Sequence, residues 1–140
     1  MTDVPDQSFI DFQSDNHIHT SFCNHATGSM GEYVEHAIAI GLRKIVFLEH
    51  MEEGICSSRQ LWLSDSDFAE YFRQGQELQD KYDGQIEIGL GVECGYNPKR
   101  IAGLLRRLSE HQWSQVGISC HFIELADEEA HLNLFSRRKE

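Results

Sequence analysis

The chain has 140 residues, with 12 Lys+Arg against 23 Asp+Glu, a net charge of -11 and 40% hydrophobic residues. Such a length and composition fit one domain with a single core and exclude wholesale disorder. The acidic balance leaves no electrostatic footprint for nucleic-acid binding, and apolar runs of about four residues, such as Ile45-Val46-Phe47-Leu48, fall far short of the roughly 20 a membrane span needs.

In chain order, Phe9 to His17 reads as a strand that runs into Asn16-His17-Ile18-His19-Thr20. Ser21 to Gly31 is a polar loop. Glu32 to Ile40 is a short helix with Tyr33, Ala37 and Ile40 on one face and Gly41 as its C-cap. Lys44 to Leu48 is a strand ending at Glu49-His50, and Met51 to Leu63 is loop. Ser64 to Asp67 offers N-cap residues for a helix through Tyr82. Gln85 to Glu93 alternates as a third strand. Asn97-Pro98 opens a helix to about Glu110, with Ile101, Leu104, Leu105 and Leu108 inward. Trp113 to His121 is a fourth strand, and Ala126 to Lys139 is helix-like. Strict β-α alternation predicts a parallel sheet covered by helices, either open or part of a barrel.

The opening Met1-Thr2-Asp3-Val4-Pro5-Asp6 does not read as a secretory signal. Cys23, Cys56, Cys94 and Cys120 form no C-x-x-C pair and read as free thiols of a reducing cytoplasm. No G-x-G-x-x-G and no P-loop motif occurs.

Eight histidines are the unusual count. Each predicted strand ends in potential metal ligands: His17 and His19, then His50, then Glu93, then His121. Active sites of parallel α/β sheets and barrels gather at the C-terminal strand ends, so these residues should share one mouth. Alternation puts Asp15, His17 and His19 on one face of their strand. It puts Glu87, Gly89, Gly91 and Glu93 opposite the aliphatic Ile86, Ile88, Leu90 and Val92. Gly117, Ser119 and His121 likewise face away from Val116, Ile118 and Cys120. The small residues should leave room for ions and substrate. Cys94 and Cys120 point away, which argues against a soft thiolate site and for a His-plus-carboxylate set suited to Zn, Mn or Fe. Each ligand alone has an ordinary structural reading, and His25 could be a plain loop histidine; the joint placement carries the weight. His36 and His111 read as structural or surface residues; His131 reads as solvated on the terminal helix, with reach into the site as its alternative.

His17-Ile18-His19-Thr20, Cys23-Asn24-His25-Ala26, Glu32-Tyr33-Val34, Glu49-His50, Gly91-Val92-Glu93 and Ser119-Cys120-His121-Phe122-Ile123 resemble, in order, the PHP (polymerase and histidinol phosphatase) superfamily, most closely its histidinol-phosphatase branch. The resemblance implies a distorted (β/α)7 barrel holding up to three divalent ions. By motif position, His17 and His19 would bind the first ion and Glu93 would bridge the first and second. His121 would bind the second, and His25 and His50 the third. The implied reaction is hydrolysis of L-histidinol phosphate, a small phosphomonoester, to L-histidinol and phosphate in histidine biosynthesis, with hydroxide generated at the ions attacking phosphorus. Arg59, Lys99 and Arg100 follow strand ends and are candidate phosphate contacts, with solvated surface cations as the alternative.

The family's later motifs, a further His and a closing Asp-x-His, have no counterpart here. The sequence therefore reads as the N-terminal half only: about four βα units, truncated at the C-terminus, with each ion site short of a ligand. One alternative is a catalytically inactive half-barrel that binds metal or a partner, or self-associates through exposed sheet edges. Another is a different PHP or TatD-like metal hydrolase, which Cys23-x-His25 and Glu49-His50 disfavour.

Overall fold

Ile45, Val46, Phe47 and Leu48 are almost fully buried on both sides. They form the centre of β2 (Lys44–Met51), the middle of a parallel sheet, where strands covered on both faces read as continuous apolar runs. The computed structural model describes residues 11–125 and 131–135. β2 pairs with β1 (Ser14–Ile18) on one side and β3 (Glu87–Gly95) on the other, and β4 (Val116–Ser119) pairs with β3. All pairs are parallel, in the order β1-β2-β3-β4. Gln115, just before β4, donates from Nε2 to the Asn16 carbonyl of β1 at 3.0 Å, so the sheet is curled into a half-barrel.

Three helices follow the strands. Ser29 caps α1 (Met30–Ala39) in a reciprocal capping box with Glu32, so the helix starts two residues before its predicted Glu32. Ser64 caps α2 (Asp65–Lys81) in the same way with Asp67. Asn97 folds back on Lys99 N–H, and α3 begins only at Ile101 and ends at Leu108. Val34, Ala37, Phe68 and Tyr71 from α1 and α2 meet Ile45, Phe47, Ile88, Leu90 and Val92 in one core. The inner face of α3 is Leu104 and Arg107; Ile101 and Leu105, expected inward, are exposed.

The concave side of the sheet corrects another expectation. A Cβ on Gly91 would lie 2.7 Å from the Gln115 carbonyl oxygen and 2.7 Å from Leu48 Cδ1, and one on Gly89 would lie 2.9 Å from Val46 Cγ2. The glycines are thus filled over by Val46 and Leu48 and form packed floor rather than open room. Space begins one level higher, at Glu93 and Ser119.

Beyond Ser119 the prediction fails. His121 lies in the link after β4, not on a strand running to residue 121. β5 (Phe122–Glu124) pairs antiparallel with β6 (His131–Asn133), where a helix over Ala126 to Lys139 is expected; positions 126–130 and 136–139 of that helix lie outside the described residues. Leu134 N–H donates to the His121 carbonyl. Tertiary strand pairing here overrides a weak local helix preference. Residues 9–10 of the predicted first strand also lie outside the described residues. Among the described residues, no helix is long and apolar enough to cross a membrane.

Candidate metal centre

Chain alternation aims the site. On β2, Val46, Leu48 and His50 share the concave side, while Glu49 faces the helices and is fully buried. The β2–β3 register sets His50 beside Glu93. Glu93 is the hub. Its Oε2 lies 3.0 Å from His17 Nε2, 3.2 Å from His19 Nε2 and 3.5 Å from His50 Nδ1. Its Oε1 lies 3.1 Å from His121 Nε2. His25, on the loop after β1, completes the ring with its Nε2 2.7 Å from His50 Nε2.

Two sets of three donors lie close enough to hold a cation: His17, His19 and Glu93, and His50, Glu93 and His121. Protons alone serve this cluster poorly. His17 Nε2 is within 3.0 Å of both His19 Nε2 and Glu93 Oε2, yet one N–H can point at only one of them. His19 Nδ1 and His50 Nδ1 are buried without a hydrogen-bond partner. Converging nitrogen and oxygen lone pairs with orphaned ring atoms fit a borderline divalent cation.

The electrostatics point the same way. Burial would raise Glu93, but hydrogen bonds from His121, His19 and His17 outweigh it and hold the carboxyl well below the usual carboxylate range. Burial, reinforced by His19 and His121, pushes His50 down to about 3, which keeps its ring neutral with a free lone pair. Burial also opposes charge on His121, but Glu52 and Glu93 overcome it and push that ring up to about 9. A cation beside Nε2 would replace the ring's second proton.

A third close set, His19, Cys23 and His25, includes a thiol outside the ligands expected from the sequence. Cys23 is fully buried, donates to the Thr20 carbonyl, and is pushed up to about 12 by burial and by Glu49. With no cation beside it, burial favours the neutral thiol.

The model of the PHP domain family matches residues 15–140. The chain belongs to the PHP domain family. A Deinococcus radiodurans protein named "probable histidinol-phosphatase" is 28% identical over 109 residues, which is 78% of this chain and 42% of that protein. The histidinol-phosphatase of Bacillus subtilis is 33% identical over 88 residues, 59% of this chain and 33% of the relative. A crystal structure of histidinol phosphate phosphatase from Lactococcus lactis, complexed with Zn, L-histidinol and phosphate, matches with a TM-score of 0.72 at 26% identity. That match covers 82% of this chain and 41% of the other. The chain thus spans less than half the length of these relatives.

In this PHP chain the fold brings together all six residues proposed as ligands from the sequence, and they line one cavity of about 1060 Å³. Arg59 also lines it, with Nη2 on the Asn24 carbonyl at 2.7 Å. Lys99 and Arg100 do not: Lys99 pairs with Glu124 at 2.8 Å, and the Arg100 side chain covers Gly54. Other residues of the wall lie outside the expected ligand set. His131, expected solvated on a helix, lines the cavity and accepts from Cys56 N–H at 3.1 Å. Phe135 sets its ring edge-on to His121. Glu52, buried after β2, has Oε1 2.5 Å from His121 Nδ1. Its signal was parity, since it lies two residues past His50 and so faces the same side.

Proposed function

We propose that residues 1–140 form the ion-binding half of a metal-dependent phosphomonoesterase of the histidinol-phosphatase type, hydrolysing L-histidinol phosphate to L-histidinol and phosphate. One observation carries this reading: a single buried carboxylate, Glu93, approached by four imidazoles from β1, β2 and the segment after β4. His17, His19 and Glu93 would hold one divalent ion, of Zn, Mn or Fe, and Glu93 with His121 a second. His25 and His50 would hold a third. Such ions neutralise a phosphate dianion and acidify a water molecule to give a nucleophile near neutral pH.

The chain's own residues do the rest. Glu93 stays ionised and supplies the negative charge the ions share. His50 stays neutral, so its lone pair is not lost to protonation. Arg59 lines the cavity from the loop after β2 and would meet a phosphate oxygen. Trp62, Phe122 and Phe135 add apolar surface to the cavity wall. Four free thiols are consistent with a cytoplasmic enzyme.

The test is phosphate release from L-histidinol phosphate by the purified 140-residue chain. The expected result is turnover that requires added Zn or Mn and stops with chelator. Ion uptake without turnover would instead favour a half-barrel that holds metal but lacks the remainder of its site.

We also infer self-association. Among the described residues, β1 and β4 each pair with one strand, which leaves ladder groups on their outer edges unpaired by another strand. Val116 and Ile118 on β4 are exposed. Size-exclusion chromatography with light scattering should show a dimer or larger species at tens of micromolar; a monodisperse monomer would overturn this.

A further inference from the structure

Glu52 belongs to none of the motifs that mark the site, yet it is built into it. Its side chain is 4% exposed, and Oε1 accepts from His121 Nδ1–H at 2.5 Å. The backbone behind it is clamped. Arg107 Nη1 donates to the Glu52 carbonyl at 2.9 Å, and Asn97 Nδ2 donates to the next carbonyl, Glu53, at 3.0 Å. The carboxylate occupies the space that a side chain at position 95 would need. A Cβ on Gly95 would lie 1.8 Å from Glu52 Oε2 and 2.2 Å from its Cδ. These contacts fix where the carboxylate sits and leave one use for it. With Nδ1 committed to Glu52, Nε2 is the ring atom that faces Glu93 Oε1, at 3.1 Å.

We propose that Glu52 is a positioning residue: its carboxylate sets the orientation and tautomer of His121, so that Nε2 is presented to a divalent cation shared with Glu93, and Gly95 provides the gap that seats it. This rests on the reading that His121 and Glu93 hold an ion. A carboxylate behind a ligating imidazole fixes the ring and raises its basicity, and loss of such a partner typically weakens metal affinity about 10- to 100-fold. Glu52 does not touch the substrate in this role; it acts through the ring.

The experiment titrates Zn²⁺ into the full chain against a competing chelator, for wild type, Glu52→Ala, Glu52→Gln and Gly95→Ala. Glu52→Ala should weaken Zn²⁺ binding by about 10- to 100-fold. Glu52→Gln should fall in between, since its amide oxygen still accepts from Nδ1–H but carries no charge. Gly95→Ala should weaken binding although no ligand is changed, because the new methyl displaces the carboxylate. A metal-free readout separates positioning from mere packing: ¹⁵N NMR of the His121 ring should show a hydrogen-bonded Nδ1–H in wild type and its loss in Glu52→Ala. Wild-type affinity in Glu52→Ala, or an unchanged His121 Nδ1 signal, overturns the role while leaving the ion site standing. A wild-type chain that takes up no Zn²⁺ overturns the ion site and this role with it. If Glu52→Ala does not fold, Glu52→Gln and Gly95→Ala decide between the same outcomes.

Discussion

Glu93→Gln is expected to abolish most divalent-metal binding by the chain while leaving its fold intact. The side chain keeps its size, so packing beside His50 and over the β3 backbone is unchanged. What changes is charge and polarity. In the wild type one oxygen of Glu93 meets His17, His19 and His50, and the other meets His121. All four rings present nitrogen toward an anion that hydrogen bonds from His121, His19 and His17, with the electrostatic influence of His50, keep ionised despite its burial. Glutamine brings no charge, and its NH₂ group would turn two donor hydrogens toward rings whose lone pairs an ion needs. Orienting partners of metal ligands alone are worth about 10- to 100-fold in affinity. A residue shared by both donor sets should cost about 100-fold or more. Elemental analysis after gel filtration reads the outcome directly. Metal content equal to wild type would remove Glu93 from the site. His36→Ala, on the far helix α1, is the matched control and should retain full metal.

Much of this centre was legible in the sequence because parallel strands convert sequence into space by two simple rules. Functional side chains collect at strand C-termini, and alternate residues share a face. Those rules placed His17, His19, His50 and Glu93 together with no need of contact information. His121 was reached by the same rule through a partly wrong premise: it follows β4 by two residues rather than ending it, but still arrives at the same mouth. The rules fail where a side chain depends on what lies across from it. Gly89 and Gly91 looked like open space, and only the inward reach of Val46 and Leu48 shows them filled. Glu52 looked like loop because its partner, His121, is 69 residues away. The strand at His131–Asn133 was hidden because its pairing with Phe122–Glu124 spans residues whose local pattern favours helix. Lys99 and Arg100, candidate phosphate contacts or solvated cations by their place after a strand end, lie against Glu124 and Gly54 and do not line the cavity.

Arg107→Leu should lower the chain's stability by about 3 kcal/mol. Helical spacing placed Ile101 and Leu105 inward on α3, yet both are exposed and this arginine is buried. The guanidinium is spent on backbone and carboxylate acceptors at both ends of one loop. Nη1 donates to the Glu52 carbonyl at 2.9 Å, Nη2 reaches the Leu63 carbonyl at 3.5 Å, and Nη2 and Nε meet Asp65 at 2.8 and 3.1 Å. Leucine would keep much of the apolar volume but leave buried carbonyls without donors, and each such orphan costs about 1–3 kcal/mol. The neighbouring Arg106 provides the comparison. It pairs with Glu110 at 2.5 Å on the exposed side of the same helix, where such pairs are worth about 0.5 kcal/mol. Urea unfolding should therefore show a large fall in midpoint for Arg107→Leu and almost none for Arg106→Leu, at equal slopes. Equal midpoints for the two variants would mean that Arg107 does not clamp the 52–65 segment. Because that segment carries Glu52, Arg59 and Trp62 into the cavity, Arg107→Leu should also weaken Zn²⁺ binding, by less than Glu52→Ala does, since the carboxylate itself remains.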